Sequence, residues 1–250
     1  MIILSRNFKL MNLWNVIFPV AMYFIVSNVA MFVLGLAWKP TDQNYIIQYI
    51  IVTVVCFPII FSYYRKPEKK QEKDVAVYVL AAVCGAAFAI AVNNLIAFTP
   101  LMSSSASYQE VSKAFYGSTL LAEIVATCIL TPILEEMLYR GIAYVRLREW
   151  LGVRLAMLLS ALLFGLMHFN MVQFVYAGIL GLLLAFVMER FGLLAAIITH
   201  AAANLICVLN SEMGLLSAFE KSGLRMQMET GVAILLAGIS FYGLTRKILK

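Results

Sequence analysis

Only two histidines occur in the 250 residues, and each keeps polar company inside an otherwise apolar run. His168 closes the segment FGLMH at 164–168. His200 opens HAAAN at 200–204, which puts Asn204 one helical turn further along the same face. Upstream, PILEEMLYRG at 132–141 carries adjacent glutamates, Glu135 and Glu136, and then Arg140 at the i, i+4 position that lets it pair with Glu136. A carboxylate beside an imidazole in a low-dielectric cavity can hold and deprotonate a water. An asparagine amide and a second imidazole can donate hydrogen bonds to an oxyanion. These are the parts needed to hydrolyse a carbonyl compound without a covalent intermediate. Ser118 and Ser160 also lie in apolar stretches, but neither sits in a GxSxG elbow, so a serine nucleophile is not indicated.

The elements that must position these groups are membrane helices. Hydrophobic residues make up 63% of the chain and charged residues 13%, with a mean hydropathy of +0.90, against about 45–50% and 25% in soluble domains. Apolar windows long enough to cross a hydrocarbon core about 30 Å thick fall near 13–37, 45–63, 75–98, 115–134, 153–169, 172–189, 192–209 and 230–246. The expectation is an all-α, polytopic bundle of about eight transmembrane helices, forming a single integral membrane domain over 1–250. The first apolar run is far longer than the 7–15 residues of a signal-peptide core, so it is expected to be a retained span. Polar breaks at KPTDQN (39–44), RKPEKKQEKD (65–74) and TPLMSSSASYQEVSK (99–113) separate the first helices.

Charge supports that count. With the N-terminus inside, fourteen Lys and Arg fall in inside segments, among them Arg6, Lys9, the run Arg65 to Lys73 and Arg146; four fall outside and Arg140 lies within a span. The positive-inside rule then places both termini in the cytoplasm. It also accounts for the net charge of +6, so nucleic-acid binding is not indicated. Cys56, Cys84, Cys128 and Cys207 each fall in a different apolar segment with no CxxC spacing, which suits small packing residues better than disulfides or a thiolate metal site.

An ionisable group inside a span costs roughly 2.5–3.5 kcal/mol and marks a functional candidate. Glu123, Thr127, Thr131 and Glu135 recur every four residues as one polar stripe. At 1.5 Å per residue from the arginines that mark the inner interface, Glu135 lies about 16 Å deep, His168 about 21 Å, His200 about 15 Å and Asn204 about 21 Å. Four polar side chains on three helices thus share one layer near mid-membrane. For Glu136 and Arg140 a plain alternative stands beside a functional one, namely that the pair neutralises itself and pins two helices. Phe164, Met167, Phe169 and Met171 could line a lipophilic groove, though such residues in a membrane protein usually face core or lipid.

EEMLYR, FGLMH and HAAAN fit the patterns EExxxR, FxxxH and HxxxN, in order and on successive helices. In this the chain resembles the CPBP family, which comprises the type II CAAX prenyl endopeptidases and the bacteriocin-processing, Abi-like membrane proteins. The resemblance covers residues 115–210. It implies a glutamic-type intramembrane protease with Glu135 as general base acting with His168, with His200 and Asn204 as the oxyanion site, and with Glu136 and Arg140 completing it. It implies a peptide or membrane-protein substrate in a lipid bilayer, the cell membrane being the expected location, and no cofactor. Two other readings remain. A zinc protease could use His168, His200 and Glu135, although HExxH spacing is missing. A non-catalytic immunity or peptide-binding protein could use the same cavity. A transporter is a weaker third reading: Asn93–Asn94 suits one, while the small residues Ala177, Gly181 and Ala185 are more simply helix packing.

Overall fold

The computed structural model describes residues 10–41, 43–64, 74–214 and 223–248. The basic residues Arg6 and Lys9, the run Arg65–Lys73, and Lys221 and Lys250, on which the expected orientation partly rests, lie outside the described residues. Everything regular is helical: α1 (Leu10–Ala37), α2 (Tyr45–Tyr63), α3 (Val75–Ala97), the short α4 (Leu101–Ser104), α5 (Ala106–Phe115), α6 (Leu120–Glu123), α7 (Thr131–Glu136), α8 (Val145–Leu151), α9 (Val153–Leu166), α10 (Met171–Phe191), α11 (Leu193–Met213) and α12 (Gly223–Ile248). Two π-helical segments, Ile124–Leu130 and Met137–Tyr144, join α6, α7 and α8 into one continuous helix from Leu120 to Leu151.

Among the described residues six helices are long and apolar enough to cross a membrane: α1, α2, α3, α10, α11 and α12. A seventh span arises if α5 and the 120–151 helix count together, bent by 111° at their junction. The expected fifth span is α9, which has 14 residues and so rises about 21 Å, short of the ~30 Å hydrocarbon core. Its early end is what sets His168 in a turn inside the bundle instead of at a surface. The bounds of α1, α2, α3, α10 and α11 follow the apolar windows closely, because a long run with no polar break has no other way to satisfy its backbone in lipid. The fourth span runs on to Leu151 and the last helix starts at Gly223, outside their expected windows.

The most extensive helix packing joins α3 to α11 and α12. Hydrophobic burial supplies little between helices that leave lipid, so close approach through small side chains matters more. Ala81, Gly85, Ala89 and Ala91 form the buried face of α3. A Cβ at Gly85 would lie 2.2 Å from the carbonyl oxygen of Thr199, so only glycine admits α11 here, one residue before His200. On their outer faces α1 and α12 turn Phe32, Leu36, Leu235 and Ile239 outward.

The segment 99–113, expected as a polar break, folds instead into α4 and α5. Tyr108, Val111, Ser112 and Phe115 recur at i, i+3, i+4 and i+7 and face inward as one wall of a cavity.

Candidate active site

The cavity has a volume of about 360 Å³ and draws its lining from α2, α3, α5, α7, α10 and α11. Glu135, His168, His200 and Asn204 all line it. The structure therefore brings together in one space the four side chains whose depths coincide along the chain.

The two glutamates occupy the end of α7, where successive residues project roughly 100° apart. Glu135 turns into the cavity. Glu136 turns between helices and is fully buried. There its Oε1 accepts from Arg140 and from Nδ1 of His200, each at 2.9 Å. Arg140, also fully buried, donates a second bond to the carbonyl of Gly181 at 3.2 Å, and its guanidinium lies 4.5 Å from the centre of the Phe164 ring. Two desolvated charges are costly unless several contacts satisfy them, and here α7, α9, α10 and α11 all contribute. The glycine at 181 makes room for this packing, since a Cβ would make tight contacts of 3.1 Å with both Arg140 Nη2 and Ala161 Cα. Ala177, Gly181 and Ala185 are all buried, as helix-packing residues should be.

Each imidazole has one nitrogen committed to the protein. His168 donates from Nδ1 to the carbonyl of Phe164 at 2.9 Å; a carbonyl only accepts, so this fixes the tautomer and leaves Nε2 as the acceptor. His200 is held through Nδ1 by Glu136, while its Nε2 lies 3.8 Å from Oε2 of Glu135. That separation is too long for a direct hydrogen bond, so both atoms keep bonding capacity for a molecule in the cavity. The turn after α9 helps to set His168, because Phe169 adopts a left-handed backbone with φ 56°, a conformation a bulky side chain adopts only when its surroundings hold it there.

Asn204 donates from Nδ2 to the carbonyl of Thr127 at 2.7 Å. Thr127 lies in the first π segment, and a change from i→i+4 to i→i+5 bonding frees carbonyls for partners outside the helix. The π segment also alters the expected stripe. Four-residue spacing drifts by about 40° per step in an α-helix, and a wider π turn corrects part of that drift. Thr127, Thr131 and Glu135 line the cavity, whereas Glu123 does not; it is buried against the chain and accepts from the backbone N–H of Ser118 at 3.1 Å.

Tyr49 and the α5 wall escaped the sequence reading, while Phe164, expected as a groove-lining candidate, is more central than that. Phe164, the F of its motif, is the hub of the site: its ring centre lies 5.0 Å from those of Tyr139 and His168 and 5.7 Å from that of His200. Tyr49 shares a hydrogen bond of 3.0 Å with Thr131 on the cavity wall. Cys56, Cys84 and Cys128 are buried, but Cys207 lines the cavity. Of the expected lipophilic residues only Phe164 lines it, while Phe169 and Met171 are exposed. A cavity-facing hydroxyl or aromatic leaves no special mark in an apolar sequence. The spacing of α5 would have shown its inward face, had the serines around it not suggested a loop.

Residues 117–206 match the family model described as type II CAAX prenyl endopeptidase Rce1-like. The matched stretch starts just ahead of α6 and ends two residues beyond Asn204, so it contains all three motifs and all six expected site residues. The match covers a little over a third of the chain and agrees with the CPBP resemblance of the motifs. The comparisons with curated proteins and with solved structures give no match. Within the matched segment, α7, α9, α10 and α11 carry the polar cluster, while α1, α2, α3, α5 and α12 lie outside it. Of these outer helices, α2, α3 and α5 complete the cavity wall.

Proposed function

We propose that this protein is a glutamic-type intramembrane endopeptidase that cleaves a peptide bond in a peptide or membrane-protein substrate within the bilayer, without a metal. The convergence of Glu135, His168, His200 and Asn204 on one cavity supports the reading most directly. In the reaction Glu135 takes a proton from a water held with Nε2 of His168. The water oxygen bonds to the substrate carbonyl carbon, and the carbonyl π pair moves onto oxygen. Asn204 keeps one N–H on Thr127 and has a second for that oxyanion. His200, whose Nδ1 faces Glu136, adds Nε2–H when its ring carries both protons. The oxyanion then re-forms the carbonyl, the C–N bond breaks, and the leaving nitrogen takes the proton from Glu135. Glu136 and Arg140 are positioning residues, because they touch His200 and the scaffold and do not line the cavity.

The test is cleavage of candidate peptides by the protein in liposomes. General base catalysis contributes about 10²–10⁴-fold, so Glu135→Gln and His168→Ala should each reduce turnover by at least a hundredfold with folding unchanged. Undiminished cleavage in both variants would end this mechanism. A chelator arm addresses zinc at His168, His200 and Glu135, since a metal ligand would also have its second ring nitrogen held by the protein. Activity lost on chelation and restored by zinc would replace the metal-free reading. A phenotype that persists in Glu135→Gln would favour an immunity or binding protein.

A further inference from the structure

The cavity extends well past the carboxylates. Cys207 lies on α11 two turns beyond His200, about 10 Å along the axis, and lines the same space. Asn93 on α3 donates from Nδ2 to its sulfur at 3.3 Å, and the Tyr176 hydroxyl on α10 lies 4.0 Å from that sulfur. An amide donor and a phenol hydroxyl from two different helices thus converge on a thiol, which is a weak hydrogen-bonding partner. All three side chains line the cavity. Donors committed to so poor a partner exchange it readily for a better acceptor, and any carbonyl, amide or hydroxyl oxygen is one.

We propose that Asn93, Tyr176 and Cys207 form a specificity subsite for an uncharged hydrogen-bond acceptor on the substrate. The proposal rests on the endopeptidase reading and assigns a substrate feature to it. An extended peptide advances about 3.3–3.6 Å per residue, so a point roughly 10 Å from the reacting carbonyl is about three residues away along the chain. The subsite therefore selects the group three residues from the scissile bond. A neutral acceptor fits best, because none of the residues lining the cavity is Lys or Arg and a carboxylate would enter without a counter-ion.

The experiment compares four peptide substrates that differ at the residue three places from the scissile bond. One carries asparagine there and one leucine, each tested on both sides of the bond; on the C-terminal side the other two end at that residue, one with a free carboxylate and one with its amide. Wild-type protein should prefer asparagine over leucine by roughly fivefold to tenfold in kcat/KM, the scale of one or two net hydrogen bonds. Asn93→Leu and Tyr176→Phe should each bring that ratio towards one; the second removes a single hydroxyl and tests the idea even where the first perturbs folding. A wild-type ratio near one, or a ratio unchanged in both variants, overturns the subsite and leaves the endopeptidase reading intact. A preference for the free carboxylate over its amide overturns the neutral assignment. If no peptide is cleaved, maleimide labelling of Cys207, read by mass spectrometry, decides separately. Protection by the asparagine peptide and not by the leucine one supports the subsite although the proposed function has failed, and equal labelling in both overturns it.

Discussion

The two ends of the cavity are built on opposite principles. At the carboxylate end the charged and imidazole groups are held by the protein: Glu136 holds Arg140 and His200, Gly181 holds Arg140, and Phe164 holds His168. At the thiol end the contacts are 3.3 and 4.0 Å and gather on sulfur. The first arrangement keeps reacting groups from reorganising, which electrostatic catalysis requires. The second can yield its internal bonds to an incoming group. On the proposed reading, chemistry is held rigidly and recognition loosely, in one space with shared walls.

The hardest way to break the comparison is at Glu135. Glu135→Gln should abolish turnover by a factor of about a hundred or more while leaving thermal unfolding in detergent unchanged, since its side chain is partly open to the cavity. Next comes the tie beneath it. Arg140→Leu leaves Glu136 a buried, uncompensated charge and should cost about 3–5 kcal/mol, whereas replacing both residues by apolar ones of similar volume should recover most of that loss. Equal losses in the single and double variants would show that the pair is not coupled as the geometry requires. Gly85→Ala should cost about 1–3 kcal/mol, because the new Cβ meets the Thr199 backbone; it should also lower turnover by displacing the start of the HxxxN segment. An unfolding midpoint equal to that of the native chain would refute the close approach of α3 and α11.

A remote contact calibrates these effects. Lys247 and Asp74 pair at 2.5 Å at the ends of α12 and α3, outside the cavity. The Lys247 hydrogen bond, helped by the Ala76 backbone N–H, holds the Asp74 carboxyl below the usual carboxylate range. A carboxyl depressed in the folded state contributes stability above its unfolded value and loses it as pH falls through the folded one. Any effect of Lys247→Ala should therefore be present at neutral pH and fade below about pH 4. Because the pair is solvated, the change should be the smallest of the series. A midpoint shift as large as that of Gly85→Ala would mean that α12 is held far more firmly than its exposed face suggests.

Helices α2, α3, α10 and α11 are legible in the chain to within a few residues at their ends, since lipid requires long unbroken apolar runs. The polar site was legible for the complementary reason: His168, His200 and Asn204 stand out where their neighbours are apolar. Tyr49 was not, because an aromatic on the cavity resembles one in the core. The α4–α5 wall was missed because its serines suggest a loop while its inward period is short. The broken fourth span was invisible too, since nothing local distinguishes an α turn from a π turn.

By itself the sequence determined that the chain is a helical membrane protein, that its rare ionisable groups are concentrated on three helices, and that Glu136 and Arg140 are spaced to pair. Those outcomes depend on composition and on the fixed rise and period of a helix. Only the tertiary structure decided that Glu136 would also hold His200, that a π turn would offer Thr127 to Asn204, and that Asn93 and Tyr176 would meet at Cys207. Each of these depends on how helices far apart in the chain rotate and approach, and that is set by packing among residues such as Gly85 and Gly181, which carry no chemistry of their own.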